Sequence, residues 1–327
     1  MKNRIRGLLQ LGLVSVLMVG FQNCENFEST SEQTNAPSGS GANNLPPAAP
    51  LGQHVVQSRK VFDGQVNRDY IVHLPSDYAS RTTETLVVMG FHPGSNSAEQ
   101  FEGISRLHEQ TGAENLIIVY PDGVQGPGGK QAWNVGFCCT GGDDLAFFDA
   151  MLKDLASLTK IKSKVAVTGY SSGAMMVYRL LCSRSDKILA AVPFAAYLRM
   201  QDVTNTNSCV WGATIPVFHI HGADDAQMNI NGQADGYYPN SGIQTPPLLE
   251  YLEVIAGRNG GKTNPVTETY DADLDSMRVK LNSNTHYTII EGQGHTWPGE
   301  VGFGKYGPGR LDLEGSKVVM KFLLEQK

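Results

Sequence analysis

The strongest constraint on this chain is a set of apolar segments that do not alternate with polar residues, spaced by stretches of helical periodicity. DYIVHLP (69–75), TLVVMGF (85–91), NLIIVYP (115–121), KVAVTGY (164–170), ILAAVPFAAY (188–197), PVFHIHG (216–222) and HYTIIEG (286–292) read as strands, several of them apolar throughout. A strand with one wet face alternates; a strand that does not is covered on both faces. The covering elements are expected as helices over 97–110, 144–160, 172–183, 248–258 and 313–326. The second is the clearest, with Leu145, Phe148, Met151, Leu152 and Leu155 on one face and Asp143 and Asp144 at its positive end. The pattern is α/β, a mostly parallel central sheet flanked by helices, in a single domain over 53–327. The stretches 226–247 and 300–310 carry no period and are expected as long loops, which in a compact domain are more often functional than idle.

What precedes that domain reads as an address and a spacer. Lys2, Arg4 and Arg6 are followed by Gly7 and an apolar run from Leu8 to Phe21, the layout of a secretory signal peptide over 1–23 and too short for a comfortable membrane span. Residues 24–52 are rich in Ser, Gly, Asn and Pro and are expected as a flexible tether. Cys24 stands where a bacterial lipoprotein carries its lipidated cysteine, behind a loose lipobox of Phe21, Gln22 and Asn23. The expected location is therefore export, either secreted or lipid-anchored at the outer membrane. A formal charge of -6 and the lack of a basic patch argue against nucleic acid as partner. A monomer is expected.

Chemistry enters at Gly169-Tyr170-Ser171-Ser172-Gly173, a G-x-S-x-G placed between the apolar strand KVAVT and the helical stretch AMMVYRLL. A strand, a tight turn and a helix push such a serine up at the sheet edge, with the helix N-terminus facing a developing oxyanion, and the glycines let the chain double back. The alternative is a purely structural turn. A nucleophilic serine needs a histidine and an orienting carboxylate, which follow it in the order acid, then histidine, on loops just past strands. PVFHIHG runs into Asp224 and Asp225, and HYTIIEGQG runs into His295 within GHTWPG. Of the other histidines, His54 adjoins the tether, His73 lies inside a strand, His108 belongs to a helix, and His286 opens the strand at the end remote from His295. His219 and His221 share one strand face, with no third metal ligand at a defined spacing, so structural hydrogen bonding is their expected role.

These motifs together resemble the α/β-hydrolase family of extracellular polyhydroxybutyrate depolymerases and feruloyl or acetylxylan esterases (the LpqC-like group). The matching pieces are IIVYPDG (117–123), AWNVGFCC (132–139), DDLAFFDAML (143–152), VTGYSSGAMMVYRL (167–180), HIHGADD (219–225) and GQGHTWPG (292–299). The resemblance implies a serine esterase with Ser171 as nucleophile, His295 as base and Asp225 as the acid, Asp224 being the runner-up. It implies an oxyanion hole made of the backbone N–H groups of Ser172 and Gly94; Pro93, lacking an N–H, is a departure from the usual segment. Trp133 and Asn134 match the family's rim segment and, with Trp297, are candidates for substrate binding. Trp297 is also placed to cover the histidine, while Tyr237 and Tyr238 are candidates for the entrance. No metal or organic cofactor is implied. The expected substrate is polyhydroxybutyrate or its oligomers; the alternatives are feruloyl or acetylxylan esters of plant polysaccharide, or a non-catalytic binding role on a hydrolase fold. In an oxidising compartment Cys138 and Cys139, which as neighbours rarely bond to each other, are expected to pair with Cys182 and Cys209, in either order.

Overall fold

A computed structural model describes residues 54–125, 131–136, 142–232, 245–261, 267–302 and 304–327. The segments read above as signal peptide and tether, with Cys24, lie outside these residues. So do Cys138, Cys139, Tyr237 and Tyr238.

The strands are β1 (His54–Phe62), β2 (Asn67–Pro75), β3 (Val87–Phe91), β4 (Ile117–Pro121), β5 (Val124–Gln125), β6 (Gln131–Ala132), β7 (Val165–Tyr170), β8 (Ile188–Phe194), β9 (Val217–Gly222), β10 (Thr267–Asp271), β11 (Ser276–Lys280) and β12 (Thr285–Ile290). The helices are α1 (Ala98–Ser105), α2 (Asp144–Leu158), α3 (Ser172–Ser183), α4 (Met200–Thr204), α5 (Leu248–Arg258) and α6 (Gly315–Leu324). Ten strands form one sheet in the order β1-β2-β4-β3-β7-β8-β9-β12-β11-β10, and β5 and β6 form a separate small hairpin. The stretch from β4 to β12 is parallel throughout, and the strands outside it, β1 and β2 on one side, β11 and β10 on the other, pair antiparallel.

Every residue of β3, β4, β7 and β9 is buried, as continuous apolar runs require. Their side chains divide between two cores. Val87, Met89, Phe91, Val165 and Val167 pack with α2, α3 and α5 on one face, and Val88, Ile118, Ala166 and Val192 pack with α1 and α6 on the other. The chain adopts the single-domain α/β architecture expected from the pattern, in the α/β-hydrolase form that the resemblance implies.

Differences cluster at the rim. β1, β10 and β11 carry no apolar run because nearly all of their residues are part- or fully exposed, so periodicity alone did not mark them. The helix expected over 97–110 stops at Ser105: Arg106 adopts a left-handed conformation (φ 42°) and Leu107–Glu109 continue as a 3-10 turn. β8 ends at Phe194 rather than 197 because Ala195 turns to φ 60° and donates its N–H to the Ile220 carbonyl at 3.0 Å.

The cysteine pairing is corrected. Cys182, in the last turn of α3, is bonded to Cys209 in the loop before β9, and the Val210 N–H donates to the Cys182 carbonyl at 3.0 Å. The packing of that loop under α3 brings the two together, which spacing along the chain does not reveal. Among the described residues no helix is long and apolar enough to cross a membrane.

Candidate active site

The serine of the G-x-S-x-G motif is presented by a strained turn. Ser171 sits between β7 and α3 at φ 55°, ψ -121°, held by its N–H on the Phe194 carbonyl at 2.9 Å. A non-glycine residue keeps such a conformation only where its surroundings over-determine it. Both motif glycines are dictated by contact: a side-chain carbon at 169 would come within 2.4 Å of the Gly173 carbonyl oxygen, and one at 173 within 2.1 Å of the Phe91 carbonyl oxygen. The second clash shows why β3 and its following loop pass so close to the helix N-terminus.

Three side chains from three loops meet there. Ser171 Oγ lies 2.8 Å from His295 Nε2, and His295 Nδ1 lies 2.7 Å from Asp225 Oδ2. All three are buried. Asp225 follows β9, and its Oδ1 accepts from the N–H groups of Gln227 (2.9 Å) and Met228 (2.7 Å), the first turn of the long loop expected over 226–247. Asp224 is exposed and takes no part. His295 is held by its N–H on the Tyr306 carbonyl (2.8 Å) and by its own carbonyl, which accepts from the Tyr170 hydroxyl at 2.7 Å. The other long loop, 300–310, thus supports the histidine. A hydroxyl against an imidazole that is itself oriented by a carboxylate is the arrangement in which the imidazole can take the hydroxyl proton.

The carboxylate must stay ionised to do this. Burial alone would raise its pKa, but His295, together with the hydrogen bonds of His221 and His295, outweighs burial and holds Asp225 well below the usual carboxylate range. His221 Nε2 lies 3.3 Å from Asp225 Oδ2 and 2.7 Å from the Met228 carbonyl oxygen. A carbonyl only accepts, so Nε2 carries the proton. Behind it His221 Nδ1 meets His219 Nε2 at 3.0 Å, and His219 Nδ1 meets the Tyr178 hydroxyl at 2.9 Å. The order that satisfies every group runs from the Tyr178 O–H to His219, from His219 Nε2–H to His221, and from His221 to Met228 and Asp225. Burial lowers His219 well below its usual value, in keeping with an uncharged link. The shared strand face of His219 and His221 was visible in the sequence; their partner Tyr178, on α3, was not.

On the other side of Ser171 lies the loop after β3. Gly94 rests against Ser172, such that a side-chain carbon at 94 would stand 3.5 Å from the Ser172 hydroxyl oxygen. Gly94 thus stands beside the start of α3, where the first N–H groups of the helix, that of Ser172 among them, lack intrahelical partners. His92 shapes this loop from beneath. It is fully buried, its Nδ1–H donates to the Pro93 carbonyl at 2.7 Å, and its Nε2 accepts from the Gly123 N–H at 2.8 Å. Burial, with a smaller push from Arg68, brings its pKa down to about 4 against the pull of the Pro93 hydrogen bond. Pro93 therefore serves through its carbonyl, not its nitrogen.

Two of the three expected substrate-binding residues, Trp133 and Trp297, are corrected, because both are buried. Trp133 is fully buried, its indole N–H donates to the His92 carbonyl at 2.8 Å, and its ring packs edge-on against Phe91. It supports the loop and presents no surface to a ligand. Asn134 is half-buried and held by its neighbours: its N–H donates to Asp144 Oδ2 (2.5 Å), its side chain to the Gly142 carbonyl (3.2 Å), and its carbonyl and Oδ1 accept from Arg179. Asp144 in turn pairs with buried Arg68 at 2.8 Å. Trp297 donates to Ser316 Oγ at 2.9 Å and packs on Phe101 and Phe194 within the core that α1 and α6 close. Large aromatic residues near a site are as readily its foundation as its lining.

Comparisons with known proteins agree with this picture. The family described as phospholipase/carboxylesterase matches residues 147–235, the stretch that contains Ser171 and Asp225. Feruloyl esterase B of Piromyces equi is 31% identical over 166 residues, covering 50% of this chain and 30% of that protein. The chain thus matches under a third of that relative's length. A probable feruloyl esterase C of Aspergillus clavatus is 28% identical over 232 residues, 66% of this chain and 79% of the relative. Among solved structures, an acetyl xylan esterase from Aspergillus awamori superposes with a TM-score of 0.52 at 17% identity, over 74% of this chain and 94% of that one, a likeness of fold. The chain has an α/β-hydrolase fold and is similar in sequence to feruloyl and acetylxylan esterases.

Proposed function

We propose that the protein hydrolyses carboxylic esters through an acyl-enzyme on Ser171, and that its substrates are hydroxycinnamoyl or acetyl esters of plant polysaccharide. The observation that carries the chemistry is the unbroken chain of short contacts from Ser171 Oγ through His295 to Asp225. In this reading His295 Nε2 takes the serine proton as Oγ attacks the ester carbonyl, and the Ser172 and Gly94 N–H groups receive the oxyanion. His295 then returns the proton to the leaving alcohol and activates water for deacylation. Asp225, ionised throughout, holds the ring and stabilises the imidazolium. The substrate class is supported by the names of the relatives, feruloyl esterases, at a level that outweighs the polyhydroxybutyrate expectation drawn from the motifs.

The test is steady-state hydrolysis of methyl ferulate, acetylated xylo-oligosaccharide and 3-hydroxybutyrate oligomers by the wild type and Ser171→Ala. Turnover of one of the first two, reduced about 10^4-fold or more by the substitution, is the expected result. Serine-dependent turnover of the hydroxybutyrate oligomers alone would replace the substrate class and keep the chemistry. A folded protein inert on all three would overturn both.

A further inference from the structure

A second group of chemically capable side chains gathers away from Ser171, where β2, α1 and the turn after α1 meet. His73 on β2, Glu102 on α1 and His108 in the 3-10 turn each place one ring nitrogen or carboxylate oxygen so that the three atoms lie within 4.8 Å of one another. His73 Nε2 and Glu102 Oε1 are 2.5 Å apart, and the rings of His73 and His108 stack with centroids 4.1 Å apart. A third imidazole, His54 of β1, meets the His73 ring edge-on at 5.7 Å. We propose that His73, Glu102 and His108 bind one divalent ion of the zinc type, independently of the ester-hydrolysing site.

The donor set is the argument. Two imidazoles and one carboxylate, with a water in the fourth position, are a common ligand complement for zinc, and nitrogen donors favour it over calcium or magnesium. Around a tetrahedral ion with bonds of about 2.1 Å the donor atoms stand roughly 3.4 Å apart. The part-exposed side chains of Glu102 and His108 supply the inward movement that this needs. The Tyr120 hydroxyl, 3.0 Å from His108 Nδ1, orients that ring as an outer partner of a metal-bound histidine does.

β2 supplies one donor and α1 with the turn that follows it the other two, so a bound ion would tie the C-terminal end of α1, just before the left-handed Arg106, to the sheet. Its effect is on stability rather than on the ester step.

The test uses the whole protein after treatment with a chelator, titrated with Zn²⁺ by calorimetry near pH 7, with Co²⁺ absorption to report a tetrahedral site. The expected result is one equivalent bound and a rise in melting temperature of roughly 5 °C at saturation. His73 is buried, so the variants that carry the test are His108→Ala and Glu102→Gln, at part-exposed side chains. Each is expected to weaken binding about tenfold or more and to remove the thermal shift. No saturable binding by the wild type, or full affinity retained in either variant, overturns the proposal.

Discussion

The two flanks of Ser171 are held by opposite electrostatic means. On the acid flank an ionised Asp225 is sustained by two backbone N–H groups, His295 and the file of His221, His219 and Tyr178. On the flank proposed to receive the oxyanion an uncharged His92 is locked between the Pro93 carbonyl and the Gly123 N–H, with Trp133 donating to its backbone. The first flank places a charge and needs donors around it. The second places backbone N–H groups, which carry no net charge, and needs only a rigid floor. One site thus combines a buried carboxylate that stays charged with a buried imidazole that stays neutral.

The sharpest way to break this contrast is to remove the charge and keep the shape. Asp225→Asn preserves volume but leaves His295 in the wrong tautomer facing Ser171, and kcat is expected to fall about 10^4-fold with little change in KM. A loss of less than about tenfold would mean that Asp225 only positions the ring.

Acid separates the flanks next. A histidine whose folded pKa lies below its unfolded value leaves the unfolded state holding more protons between the two, so its contribution to stability is present above about pH 6.5 and lost as pH falls toward about 4. For His92 the loss between pH 7 and pH 5 is about 2 kcal/mol, with His73 and His286, also held near 4, adding in the same direction. Asp225 has the same sign, since its folded pKa is depressed, but its window lies below the usual carboxylate value and leaves that range untouched. Urea midpoints across pH 7 to 5 should therefore fall in the wild type and fall less in His92→Gln. Equal slopes would show that the oxyanion flank does not depend on a neutral imidazole.

The smallest expected effect sharpens the role of the floor. Trp133→Phe keeps the ring packing and deletes the indole N–H that reaches the His92 carbonyl; kcat should fall about tenfold, KM should hold, and stability should drop by about 1 kcal/mol. A rise in KM with kcat unchanged would return Trp133 to substrate contact.

Ser171 and His295, which the structure brings into contact, were legible as candidates in the sequence because their signals are local. A buried strand, a glycine-bounded turn and a helix define an elbow whichever fold surrounds it, and a glycine-rich turn past a strand places His295 similarly. The acid was legible as a pair, Asp224 and Asp225, and the resemblance chose between them; the fold shows why, since only Asp225 turns its side chain inward to the N–H groups of Gln227 and Met228. The aromatic residues misled for a physical reason. Trp133 and Trp297 have the same composition signal whether they line a cleft or support it, and only neighbours such as His92 and Ser316 tell which.

What the sequence determined by itself was the layering: apolar runs too continuous for a wet face require a sheet covered on both sides, and the intervening helical stripes supply the cover. What only the tertiary structure decided were pairings between residues far apart in the chain. Cys182 with Cys209, His219 with Tyr178 and His73 with Glu102 and His108 all depend on how helices and loops settle on the finished sheet. Periodicity records which face a residue turns toward the core; it carries no record of which residue waits there.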